Sequence, residues 1–191
     1  MRFDQLTIKA QEAVQEAQQD ARARGNAELT GDHLLLAMLE QGEGVVVPIL
    51  QKLGADPVAL ARQIESDLDS RPKVSGASAD PVVARDLNRV FDRAFEIGKE
   101  FGDEYVSSEH FLLALAEPDA GEAARRLAKA GVKKDALLKA LKEVRGSARI
   151  TDPNPEDKYQ ALKRYTRDLT DLARRGKIGR ASCRERVCSV V

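Results

Sequence analysis

Along residues 6–67 the apolar side chains return at helical intervals, and the same pattern is written again over residues 83–144, shifted by 77 positions without a gap. In the first segment Ala10, Val14, Ala17, Ala21 and Gly25 fall on Leu87, Phe91, Ala94, Gly98 and Gly102. Spacing of i, i+4, i+7 and i+11 places each set on one helical face. Next come LTGDHLLLAMLE (29–40) and VSSEHFLLALAE (106–117). Each opens with a capping hydroxyl (Thr30, Ser107), an acid (Asp32, Glu109) and one of the chain's two histidines (His33, His110), then runs on as a leucine-rich stripe. Further on, LQKLGADPVALARQI (50–64) falls on LAKAGVKKDALLKAL (127–141). There Gly54 and Gly131 share a slot where a helix ends and positive φ must be tolerated. The pattern predicts helices over residues 4–24, 30–40, 46–53 and 57–69, then 81–101, 107–117, 121–130 and 134–145.

The expected fold class is therefore all-α, a pseudo-twofold duplication of a four-helix repeat. Repeat one spans 1–70 and repeat two 82–146, joined by the Ser/Gly/Pro-rich linker 71–81. A second linker, 147–157, leads to one further helix, 158–177, with Leu162, Tyr165, Leu169 and Leu172 at helical spacing. A four-helix unit of this length has a small core and gains by burying an apolar face against its twin.

Composition narrows the chemistry. Aromatics are 4% of residues, tryptophan is absent and charged residues are 32%, a mixture that suits Ala/Leu-packed helices better than a β-sandwich. The formal charge of +0 supplies no basic field, so nucleic acid is not an expected partner. No apolar run approaches the roughly 18 residues that span a bilayer, and MRFDQLTIKAQ lacks a signal-peptide core, so no membrane partner and a cytoplasmic location are expected. Cys183 and Cys188 are too few for a structural zinc site. The sequence has no G-x-x-x-x-G-K-[ST], G-x-S-x-G or H-E-x-x-H. No catalytic residue, metal or cofactor is expected in this chain. His33 and His110, without convergent ligands or a nucleophile, read with Thr30 and Ser107 as structural helix caps.

The two copies differ in one informative way. The predicted helix 81–101 carries Leu87, Val90, Phe91, Ala94, Phe95, Ile97 and Phe101, where its counterpart has only a narrow stripe of alanines. At about 100° per residue, Phe95 and Ile97 lie about 80° to either side of Leu87, a broad apolar arc. Two readings follow: a larger core in repeat two, or a groove between repeats whose apolar edge docks peptide.

The doubled T/S-x-[DE]-H-[LF]-L-L-A-[ML] motif and the duplication resemble the Clp repeat domain at the N-terminus of Clp-type AAA+ unfoldases. The opening MRFDQLTIKAQEAV, the linker RPKVSG and the stretch EDKYQALKRYTRDLTDLARRGK (156–177) resemble the disaggregase branch of that family, so the likeness spans residues 1–177. The resemblance implies a domain that recruits unfolded or aggregated protein to a hexameric machine driven by ATP and Mg, cooperating with the DnaK system. It also implies substrate-binding roles for Thr7, Asp103 and Glu109. Read as residues alone, these are a first-turn hydroxyl, a turn acid and an acid favoured by a helix N-terminus. If they border a site, their positions must converge beside Phe95, Ile97 and Phe101, as an apolar floor with an acidic and hydroxyl rim. The fragment itself is expected to be monomeric and non-enzymatic. The alternative is an adaptor-docking domain, as in ClpA- or ClpC-like unfoldases, or a stand-alone Clp-repeat regulator. After Lys177 the resemblance stops. IGRASCRERVCSVV (178–191) resembles a translated sequencing adapter and is read as an artefactual, disordered tail; without its three Arg and one Glu the chain has 28 basic and 30 acidic residues.

Overall fold

The structure is a computed structural model that describes residues 3–42, 44–73, 80–145 and 149–155. The expected helix 158–177 and the tail 178–191 lie outside the described residues. The described helices are α1 (Ile8–Arg24), α2 (Gly31–Glu40), α3 (Val46–Lys52) and α4 (Pro57–Ser70), then α5 (Arg85–Phe101), α6 (Ser108–Leu115), α7 (Glu122–Lys129) and α8 (Lys134–Arg145). The shift of 77 residues holds in three dimensions. Ile8 and Arg85 open α1 and α5, and Gly54 and Gly131 take φ of 80° and 79° at the ends of α3 and α7.

Two helix starts lie four residues later than expected, for one reason. The first helix begins at residue 8 and not 4, because Phe3–Gln5 form a 3-10 turn and Leu6 pairs in parallel with Val106. The fifth begins at 85 and not 81, because Val82–Val83 (β2) pair in parallel with Glu28–Leu29 (β1). Leu6 and Val83 are equivalent in the two repeats, as are Leu29 and Val106. Each repeat's lead-in segment thus pairs with the other repeat, a cross-connection that periodicity within either copy cannot display.

The centre is made by α2 and α6. Nine of ten residues of α2 and all eight of α6 are buried. The expected stripe is in fact apolar around the whole helix, the mark of a helix surrounded on every side. In sequence order α2 packs on α1, α3 and α4, and across the repeat boundary on α5, α6 and α7. Phe91 of α5 meets Phe111 of α6 edge-on, with centroids 5.6 Å apart, so part of the broad α5 arc does fill a larger core in repeat two. Gly31 sits where a Cβ would lie 3.0 Å from Leu115 and 3.3 Å from Ala123, so the start of α2 rests directly on repeat two.

Candidate functional site

The site begins at the cap of α1. Thr7 is extended (φ −64°, ψ 159°), and its Oγ1 accepts the Ala10 N–H at 3.3 Å. It is an N-cap rather than a residue of the first turn. Its own N–H donates to the Val106 carbonyl at 2.9 Å, and the Val106 N–H to the Gln5 carbonyl at 2.8 Å. The start of α1 is thereby fastened to the turn between α5 and α6, which brings Thr7, Asp103 and Glu109 into one neighbourhood.

The geometry there is not the open rim the sequence suggests. Thr7 is fully buried and Glu109 is 3% exposed. The Asp103 carboxylate is also shielded, with Oδ2 on His110 Nε2 at 3.1 Å and Oδ1 on the Arg145 guanidinium and, at 2.9 Å, the Ile150 N–H. Glu109 takes Arg145 alone, at 3.1 Å. Burial pushes both carboxyls up. At Asp103 the bonds from His110, Arg145 and the Ile150 amide outweigh it and leave the group at about 2. At Glu109 burial prevails over His110 and Arg145, and the group stays above the ordinary range. The donor count explains the split, three bonds against one.

Ile97 is 2% exposed and belongs to the core, not to a groove floor. Phe101 is half-buried, its ring tilted against His110 with centroids 5.7 Å apart and under the Arg145 guanidinium at 5.8 Å. Phe95 is half-buried about 160° around α5 from Ile97, so these two cannot share one floor. The structure brings Thr7, Asp103, Glu109 and Phe101 together and leaves Ile97 and Phe95 out.

The histidines explain why both repeats keep this turn. Nδ1 of His110 accepts the Ser107 N–H at 2.9 Å, and Nδ1 of His33 accepts the Thr30 N–H at 3.2 Å. Each histidine does what glutamate does in a capping box, so its Nε2 carries the hydrogen. That hydrogen goes to Asp103 from His110 and to Asn26 (3.0 Å) from His33, and Asn26 and Asp103 are equivalent positions. In repeat one the counterpart of Glu109 is Asp32, 1% exposed, which binds Arg71 at 2.7 Å and Arg126 of α7 at 3.1 Å. Beside it a cleft of about 100 Å³ is lined by Thr30, Gly31, Asp32, Arg71 and Ala84. A second cleft, about 200 Å³, lies among Arg89, Arg93, Glu96, Ala114 and Glu117, where Arg93 binds three glutamates. Both are smaller than pockets for drug-sized ligands. Among the described residues no cluster of His, Cys, Asp and Glu could hold a metal, and no helix is long and apolar enough to cross a membrane.

Sequence reasoning missed Arg145, the cation shared by the two acids, and Ile8, an isoleucine left 44% exposed beside Thr7. Arg145 carries no sequence signal, since basic residues favour the last turn of a helix anyway. The link from His110 to Asp103 carries none either, since side chains seven residues apart meet only across a turn.

A duplicated four-helix unit, histidine-capped central helices and cross-paired lead-in segments define an all-α repeat domain. The family of the Clp repeat (R) N-terminal domain matches residues 5–130, and the chain belongs to that family. It is similar to the chaperone protein ClpB of Corynebacterium diphtheriae, with 43% identity over 173 residues, covering 90% of this chain and 20% of that protein. The chain thus spans about a fifth of the length of the curated relatives it matches. In fold it is similar to the Hsp104 N-terminal domain from Candida albicans (TM-score 0.70, 22% identity, 79% of this chain and 98% of that one). A ClpV N-domain described in complex with a VipB peptide shares the fold too (TM-score 0.60, 20% identity, 73% and 86%).

Proposed function

We propose that this domain recruits unfolded or aggregated polypeptide for a Clp-type disaggregase, a protein that elsewhere in its length would form a hexamer, use ATP and Mg, and work with DnaK in the cytoplasm. The observation that carries the reading is the 43% identity to a chaperone protein, ClpB, over 90% of the chain. The geometry supports a place for the contact at the start of α1 and the α5–α6 turn. Ile8 is exposed there, Phe101 and Tyr105 are half-buried, and Glu104 is open to solvent. Thr7, Asp103 and Glu109 then act by positioning: Thr7 holds α1 to the turn, the two acids fasten Arg145 of α8 to it, and together they set the spacing of the apolar side chains around them. An extended client would touch those side chains, with modest affinity because little area is buried and the client loses entropy on docking.

The test uses a permanently unfolded probe, reduced and carboxymethylated α-lactalbumin, with its native form as control. Binding of the unfolded form only is expected. Ile8→Ser should weaken it severalfold at unchanged melting temperature, whereas Asp103→Ala should lose binding and stability together. Equal affinity for the native form, or none for either, removes the recruiting role. The second reading, docking of a defined adaptor segment, is supported by the ClpV N-domain described with a bound VipB peptide. It predicts tight binding of one sequence and indifference to unfolded chains.

A further inference from the structure

The segment that leaves repeat two, Arg149 to Pro155, runs directly over this candidate site. It forms no helix or strand over 149–154. Among the described residues three bonds fasten it to the site. The Glu104 N–H donates to the Ile150 carbonyl at 2.9 Å, the Ile150 N–H donates to Asp103 Oδ1 at 2.9 Å, and the Ile8 N–H donates to the Pro153 carbonyl at 2.9 Å. The Ile150 side chain is 1% exposed, and Pro155 is buried. Backbone bonds with one deeply seated apolar side chain are the contacts by which an extended peptide is held against a fold.

The counterpart in repeat one differs. Lys73, equivalent to Ile150, makes a single antiparallel bridge to Asn26, equivalent to Asp103. Lys73 itself is exposed, so that copy seats no apolar side chain. The seating of Ile150, and the bond onward to the start of α1, belong to repeat two. They lie where Thr7, Asp103 and Phe101 gather.

We propose that residues 149–155 are a displaceable strap that occupies the client position. An extended client strand with a β-branched or leucine side chain takes the seat of Ile150 and offers a carbonyl to the Glu104 or Ile8 N–H in its place. The proposal rests on the recruiting role proposed above and adds its regulation. Because the strap is covalently attached, it competes at high effective concentration, so only clients presenting several such segments displace it readily. Displacement also frees the segment that continues toward residue 156, which makes client engagement legible to whatever follows it in the chain. Asp103 keeps its positioning role, its carboxylate accepting an amide of the client in place of the Ile150 amide, so that Asp103→Ala loses client and strap alike.

The experiment uses the whole chain and the same carboxymethylated α-lactalbumin probe. Ile150→Ser should bind it at least about fivefold more tightly than the unaltered chain, within the ordinary range of coupling between two sites. In the unaltered chain, hydrogen exchange at the Ile150 amide should accelerate when the probe is added, a measurement that needs no variant and survives any loss of stability in I150S. If I150S binds equally or less tightly, or the Ile150 amide keeps its exchange rate in the complex, the strap is a fixed part of the fold and the proposal is overturned while recruitment stands. If neither chain binds the probe, recruitment itself has failed and the strap as competitor falls with it.

Discussion

His33 shows how much one buried side chain can decide. It is fully buried, and burial drives its imidazole down to about 4 against the opposing pull of the Asp20 charge. The neutral ring also suits the cap, because Nδ1 must stay bare to accept the Thr30 N–H. The folded value lies below the ordinary 6.5, so the unfolded chain takes up the proton first as pH falls. The stability His33 contributes is complete above about 6.5 and is lost between there and about 4, a loss of roughly 3 kcal/mol at most. Asp103, also depressed, loses its contribution only at lower pH, toward about 2. Burial raises Asp32 and Glu109, so they work with the opposite sign. Comparison with His33→Gln separates these effects, since the carboxylates are common to both chains and glutamine can still cap. The melting temperature of the unaltered chain, relative to H33Q, should fall as pH drops from 7 to 4. Parallel curves for the two chains would show that His33 does not carry the proton linkage. That His33 caps α2 was legible from its place three residues after Thr30, while its partner Asn26 was not, because side chains seven residues apart meet only across a turn.

The helices α1 and α5 are equivalent in length and register but are started differently. Thr7 caps α1 with its hydroxyl; Ala84, at the same position, has no side chain to offer α5. Ala84 is extended (φ −62°, ψ 148°) and half-buried, a backbone that serine adopts without strain. Ala84→Ser should stabilise the protein by about 0.5–1 kcal/mol, and Thr7→Ala should destabilise it by about 1 kcal/mol or more, since Thr7 is also buried. Urea unfolding midpoints at constant slope measure both, and a destabilised A84S would mean that the Ala84 seat tolerates no added hydroxyl. Helix identity along the chain was readable because period and caps are local. The starts of α1 and α5 were not, since each is set by a strand pairing with a segment of the other repeat.

The two repeats are joined more thoroughly than a linker requires. Leu6 pairs with Val106, β1 pairs with β2, Arg126 of repeat two reaches Asp32 and Asp67 of repeat one, and Lys52 reaches Glu143. Residues 1–156 form one compact unit. Neither α2 nor α6 would stay covered without the other copy, so the repeats should unfold together. Amide exchange at Leu36 in α2 and Leu113 in α6 should report the same free energy of opening, and both should shift equally in a variant such as Leu35→Ala, expected to cost about 2–5 kcal/mol. Different values, or a shift in one repeat only, would mean that the copies fold as separate units.

The register of 77 residues, the helical periods, the caps of α2 and α6 and the positive-φ glycines at 54 and 131 were all written in the chain. Each depends on neighbours within about two helical turns or on comparison of one copy with the other. Burial on every side of α2 and α6, the cross-pairing of the lead-in segments and the sharing of Arg145 between Asp103 and Glu109 were decided in three dimensions. The same holds for the strap of Ile150 across the α5–α6 turn. These join residues 36 to 145 positions apart, and the polarity of a side chain does not tell whether its partner will be water or a buried arginine. An acid at a helix start is stabilised by the helix dipole in either case. Only the packing of α8 and the exit segment over that start turned Asp103 and Glu109 inward.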